Sequence, residues 1–303
     1  MRIFACALSL LLWSPVGAAQ PPDIGSIQQW HKAQTRVEAI ARRILAENLS
    51  DCPERQTDFG MVVVWPNPLS PPDVQAAWAK ALGLGVGATI IRVFPNSPAA
   101  DLGLQAGDDV IAVDDVVWST KEHANQPFID AFSVFMKKGE GSLRVGRQNA
   151  VRDVHISGQP VCRAFAILNR TNKVNAFSQG TQIVVEAGME KLLDSDDELA
   201  FVIAHEAAHV FLGHVAPDKK MALRERETRL PMEMAADALG VQMMARAGFA
   251  PEAAPRAFLK LDKAMRGPLT RLLDLHGPYL SSDERLAFLK EQARIVRSGH
   301  LKD

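Results

Sequence analysis

Within the 303 residues, the run His205-Glu206-Ala207-Ala208-His209 holds the residue types best suited to chemistry. On a helix, side chains four apart share a face, so the two imidazoles could hold one ion between them. Zinc favours nitrogen ligands in tetrahedral geometry, and its catalytic sites keep one position open for water. Glu206 projects at a neighbouring angle. It would take a proton from the zinc-bound water as that water attacks a peptide carbonyl, then deliver it to the leaving amine. By chance such a string arises in on the order of one chain per hundred of this length, so context has to carry the reading. The bland alternative is two histidines on an amphipathic helix. Here the flanks Phe201-Val202-Ile203-Ala204 and Val210-Phe211-Leu212 are apolar. A buried helix carrying two histidines and a glutamate needs something to satisfy them, and a metal does so.

The third ligand separates the subclasses. A metzincin would continue the motif with a glycine and a histidine, but those positions hold Leu212 and Val215. A glutamate-ligand (gluzincin-type) site needs a carboxylate on a following helix. Glu233-Met234-Ala235-Ala236-Asp237 supplies it, with Glu233 and Asp237 on one face. Glu233 would bind one zinc ion per chain, and Asp237 would accept from the outer nitrogen of His205. Glu225 and Glu227 compete, but neither has an aspartate four residues on, and both lie in a charge-dense stretch typical of a solvated face.

The elements that must position these residues follow from patterning. Ser195-Asp196-Asp197-Glu198 has the form of a capping box, with Ser195 accepting from the N3 amide while Glu198 reaches back. The helix it opens runs over residues 199–215. Upstream, residues 164–168, 174–177 and 182–185 are predicted strands, and 189–193 a helical turn. Near the start, apolar residues at three- and four-residue spacing predict a helix over 24–49. Residues 57–159 differ in texture, with short β-rich runs (61–65, 87–94, 109–113, 143–146, 151–156) separated by Gly, Pro, Asn and Asp, and a helix over 125–137.

Two resemblances attach to these segments. The run from Val93 to Ile111, containing Ser97-Pro98-Ala99-Ala100 and Ala106-Gly107-Asp108-Asp109, resembles a PDZ domain. Leu82-Gly83-Leu84-Gly85 then looks like that family's carboxylate loop, whose amides hold peptide C-termini while an added strand pairs with the domain edge. Asn175-Ala176-Phe177, Glu198-Leu199-Ala200, the His205–His209 motif and Glu233–Asp237 recur in this order in the M48 family of zinc metallopeptidases. The similarity spans roughly residues 24–56 and 160–298. It implies that Asn175, Ala176 and Phe177 lie near the edge strand that takes substrate backbone. The family's late His-Pro segment and arginine find their nearest match in His276-Gly277-Pro278-Tyr279 and Arg285, which would make His276 a gating or oxyanion-side catalytic residue despite the inserted glycine. His214, just after the motif, is expected to be structural; His31, His123, His155 and His300 are expected at the surface.

Composition and the chain start complete the expectation. A formal net charge of −1 argues against a nucleic-acid binder, and 47% apolar residues suffice for a proper core. Arg2, an apolar run over 3–13 and small residues at 16–19 form a secretory signal (1–19), with no transmembrane segment left in the mature chain. The protein is therefore expected to be exported, periplasmic or secreted. In that compartment Cys52 and Cys162 are expected to form a disulfide. They flank the PDZ-like stretch, so the bridge would clamp the ends of an insertion. The expected fold is α+β: a mostly helical zincin-type domain with a small edge sheet (20–56 and 160–303), interrupted by a β-rich PDZ-like domain (57–159). The expected function is zinc-dependent hydrolysis of peptide bonds in exported or misfolded polypeptides. The alternative is a non-catalytic, chaperone-like PDZ peptide binder with a structural zinc domain. The intact Glu206 and the lack of a fourth protein ligand favour the enzyme.

Overall fold

The computed structural model of the protein describes residues 22–67, 70–85, 87–119, 125–148, 150–216, 226–265 and 282–299. The signal-like segment 1–19 and the His276–Tyr279 stretch lie outside them. The chain divides into two units, one formed by Gln56–Val161 with the chain up to His31, the other by Lys32–Arg55 with Cys162–Asp303. The division falls inside one helix, α1 (Ile24–Glu47), rather than before it. The first turns of α1 belong with the inserted unit because Gln28 donates to the Ala81 carbonyl and Trp30 meets Trp78 edge-on at 5.6 Å.

The inserted unit is built on an antiparallel sheet. Its strands are β2 (Met61–Val64), β3 (Ala88–Val93), β4 (Asp109–Val113), β6 (Glu140–Arg147) and β7 (Ala150–Ser157) in that order, with β5 (Val116–Val117) on β4. Helix α2 (Pro72–Leu82), which the punctuated sequence did not suggest, follows β2. A single turn, α3 (Pro98–Asp101), is capped by Ser97, whose hydroxyl accepts from the Ala100 amide. Helix α4 (Gln126–Lys138) places Phe128, Phe132 and Phe135 on one face by its three- and four-residue spacing. These rings pack with Phe59, Ile90, Leu143 and Ile156 into the unit's core. Fully burying each such ring is worth about 1.5–3 kcal/mol. Two further strands, β1 (Arg55–Asp58) and β8 (Gln159–Cys162), pair with each other where the chain leaves and re-enters the other unit.

In the second unit, β9 (Phe165–Asn169) runs parallel to β11 (Gln182–Glu186), which pairs antiparallel with β10 (Ala176–Gln179). The order β10-β11-β9 leaves β10 at the edge. Helices α5 (Ala187–Leu192), α6 (Asp196–Phe211), α7 (Arg226–Arg246), α8 (Ala253–Met265) and α9 (Ser282–Arg297) complete it. Helix α6 is the central element. All of its residues from Glu198 to Val210 are buried, as an apolar helix without a polar face must be. The second half of α1 ties in through specific bonds: Gln34 accepts from the Leu168 amide, and Asn48 donates to the Ile44 and Met243 carbonyls. A disulfide joins Cys52 to Cys162 across 110 residues of sequence.

Candidate metal centre

Helix α6 packs against α7, α8 and β10, and these contacts gather the chemistry-bearing residues. The close approach of α6 to α7 depends on Gly240, where a Cβ would meet the backbone of His205 at 3.0 Å. Gly240 lies seven residues after Glu233 and three after Asp237, on the same face of α7. That approach brings Glu233 to the histidines. His205 Nε2 stands 3.2 Å from His209 Nε2 and 3.4 Å from Glu233 Oε2, while His209 Nε2 is 3.9 Å from Glu233 Oε1. Zinc bonds of about 2.0–2.1 Å in a tetrahedron would put ligand atoms about 3.4 Å apart, so the donor set fits that ion. Among the described residues, His205, His209 and Glu233 are the group with metal-holding geometry, their ligand atoms all within 4.8 Å of one another.

The outer nitrogens are also occupied. His205 Nδ1 lies 2.9 Å from Asp237 Oδ1, though the ring N–H does not point at that oxygen, so the contact is an ion pair rather than a linear hydrogen bond. Asp237, fully buried, receives a two-pronged grip from Arg285 on α9, at 2.7 and 2.8 Å. The same guanidinium stands 3.9 Å from Glu233 and covers the Phe258 ring. His209 Nδ1 lies 3.0 Å from Nδ1 of buried His214. One of those nitrogens must carry the proton and the other accept it, which makes His214 a partner to His209 as Asp237 is to His205.

Glu206, next to the ligand pair, points to the edge strand. Ser178 Oγ is 2.7 Å from Glu206 Oε2 and 2.7 Å from the Glu206 carbonyl oxygen. Burial raises the Glu206 pKa, an effect only partly offset by the nearby His205 charge and the Ser178 hydroxyl. Burial would likewise lower His205, but the Asp237 and Glu233 carboxylates outweigh it and hold it up at about 10. Burial would raise both acids, yet His205 brings Glu233 down to about 2, and His205 with Arg285 brings Asp237 down to about 2. For His209, burial and then the His205 charge act together and lower it to about 3. Two histidines four residues apart are thus driven in opposite directions.

Several expectations need correction. The capping box does not form: Ser195 occupies the N-cap position without a side-chain cap bond. Glu198 instead turns to Lys260 of α8, at 2.7 Å, and Asp197 accepts from the Ala250 amide. Tertiary partners have taken both carboxylates from the helix end. The loop Leu82-Gly83-Leu84-Gly85 does not present free amides. Gly83 and Leu84 donate to the Ala79 carbonyl, closing α2 with Gly83 left-handed at φ 65°, and Gly85 donates to Thr89 Oγ1. Asp109 lies against Gly85 as well, an unfavourable neighbour for a carboxylate ligand. His31 is half-buried rather than at the surface. Ala176 and Phe177 lie on β10, and Asn175 precedes it, its carbonyl accepting from the Glu186 amide. His276 and Glu225 fall outside the described residues, as does the Glu227 side chain. Ser178 and Gly240 escaped the sequence reading. Period two along the strand puts Ser178 on the face opposite Phe177, and the small residue on the Glu233–Asp237 face of α7 is Gly240.

Two histidines from one helix and a glutamate from the next, with a second glutamate beside them, define a candidate metal centre of the two-histidine, one-glutamate class. The comparisons with known proteins point, more coarsely, to metallopeptidases. Residues 140–226 match the model of Peptidase family M48, a stretch that includes α6 and stops short of Glu233. The chain is also similar to the mitochondrial metalloendopeptidase OMA1 of Arabidopsis thaliana, 33% identical over 152 residues. The match covers 42% of this chain and 30% of that relative. No described helix is long and apolar enough to cross a membrane.

Proposed function

We propose that this chain is a zinc-dependent metalloendopeptidase acting on exported or misfolded polypeptides. The convergence of His205, His209 and Glu233 at tetrahedral ligand spacing, with Glu206 beside them, carries the reading. When bound, zinc would supply a Lewis acid that polarises the scissile carbonyl and eases deprotonation of water. The rest falls to the chain's own residues. His205, His209 and Glu233 would hold the ion. Asp237 and His214 orient the two imidazoles, and Arg285 holds Asp237 in place. Glu206 takes a proton from the attacking water and returns it to the leaving amine. Among the described residues β10 is the edge strand, and its outer side offers backbone groups to which an extended substrate can add as a further strand. Export is our reading of the signal-like start, and the disulfide supports it. The inserted PDZ-like unit is proposed as a regulatory or substrate-recognition domain. Its recognition of peptide ends would not use the 82–85 loop.

The Glu206→Gln variant tests this. It is expected to keep its zinc and to lose hydrolysis of an unfolded polypeptide such as casein by ~10²–10⁴-fold. Undiminished proteolysis would end the reading. Glu233→Ala is expected to lose the metal, which elemental analysis of the purified variant checks; full occupancy would place the third ligand elsewhere.

A further inference from the structure

Among the described residues, Ser178 is the one side chain that hydrogen-bonds the Glu206 carboxylate. It stands on the edge strand β10, paired with Ile183 of β11. Phe177 and Gln179 on either side are exposed, whereas Ser178 turns inward to α6. A buried carboxylate has few ways to stay in place. Burial leaves it little solvent to hold it, and a single rotamer change would take it out of reach of a reacting atom. The Ser178 hydroxyl is the hydrogen bond that fixes it from the strand side.

We propose that Ser178 is a positioning residue, its hydroxyl pinning the Glu206 carboxylate to the strand on which substrate backbone is laid. This rests on the peptidase reading above and deepens it. Base and scissile peptide would then be referenced to the same strand, so their separation does not depend on the free rotation of a glutamate side chain. The 2.7 Å contact to Oε2 also suits both states of the base. A hydroxyl has one proton and two lone pairs. Facing a carboxylate, Ser178 donates to Oε2. With Oε2 engaged by that hydroxyl, Oε1 is the oxygen left to take the proton from water, and Ser178 can go on donating to Oε2 after the transfer. Glu206 stays tethered through the transfer and gives its proton up to the leaving amine from the same place.

The test compares Ser178→Ala and Ser178→Thr with wild type in the full mature chain. Three readouts are taken: zinc content, steady-state kinetics on a quenched fluorescent peptide, and a crystal structure of the zinc-loaded alanine variant. Ser178→Ala is expected to keep full zinc and an unchanged KM while kcat falls ~10–100-fold. Ser178→Thr, which keeps the hydroxyl, is expected to recover most of that loss. In the alanine crystal structure the Glu206 carboxylate should leave its wild-type position or occupy several. A wild-type kcat in Ser178→Ala, a loss confined to KM, or a threonine variant no better than alanine would overturn the proposal. If the wild-type protein binds zinc but cleaves no peptide, the peptidase reading fails. The crystal structure still decides Ser178, since an unmoved Glu206 in the alanine variant overturns its positioning role.

Discussion

At the scale of single residues the centre is a pair of imidazoles whose outer nitrogens each face a partner, Asp237 for His205 and His214 for His209. His214 is a case in point. With its Nδ1 3.0 Å from His209 Nδ1, it can accept the His209 Nδ1 proton, the tautomer that leaves Nε2 able to ligate a metal. We expect His214→Ala to weaken zinc binding ~10–100-fold, read by competition with a chromophoric chelator, with the fold retained. The electrostatics yield a second prediction. Asp237 and Glu233 hold His205 protonated well above neutrality, at about 10, so the ion must displace a proton to bind. Zinc titration by calorimetry at pH 7 should therefore show an apparent enthalpy that varies with the buffer's ionisation enthalpy, with about one proton released. No buffer dependence would mean that His205 is already neutral. In chelator, the same shifts set opposing limits on stability. The raised His205 contributes fully below its ordinary 6.5, and that support is lost as pH climbs towards 10. The depressed Glu233 and Asp237 contribute above the ordinary carboxylate range, and their support is lost as pH falls towards 2.

Among the elements, the α6–α7 contact decides whether a site exists. Gly240 allows the two backbones to meet where His205 starts its side chain. A glycine in mid-helix ordinarily costs about 0.5–1 kcal/mol relative to alanine. Overpacking a tight contact costs about 1–3 kcal/mol, and the atoms opposed here are backbone atoms of a buried helix, which cannot swing aside. The second effect should win. Gly240→Val is expected to be destabilising by about 1–3 kcal/mol in denaturant unfolding and to lower zinc affinity with it. A variant as stable and as metal-avid as wild type would show that the helices can part without disturbing the ligands. The same scale explains the failed capping box. Ser-x-x-Glu describes a local bargain, and Lys260 on α8 offered Glu198 a charged partner in place of a backbone amide.

For the molecule as a whole, one unit of the chain interrupts the other, and the Cys52–Cys162 bridge joins the two ends of the interruption. Closing a loop of that length is worth about 4–5 kcal/mol when the entire chain unfolds. Where the inserted unit stays folded, β1 and β8 already hold the loop ends together, and the bridge has less entropy to remove. Replacing both cysteines by serine should therefore lower stability by less than about 4–5 kcal/mol. The deficit should be largest in conditions that unfold both units together. Denaturant curves followed separately for each unit would distinguish this from a uniform loss.

Read without its fold, this chain already discloses its candidate metal ligands, because they lie on two helices whose internal spacing is fixed by the helical repeat. His205 with His209, and Glu233 with Asp237, are pairs of that kind. The strand-rich insertion is equally legible from its punctuation, and the cysteine pair from the even count left beyond the signal-like start. What those periodicities cannot contain is anything that joins one element to another. Ser178 meets Glu206, Arg285 grips Asp237 and Gly240 admits His205 only because separate elements pack together. The amides of residues 83–85 were likewise spent on a helix end and a threonine that local pattern did not reveal. Local spacing determined which residues can ligate; tertiary packing decided which groups hold them there, and those partners come from distant parts of the chain.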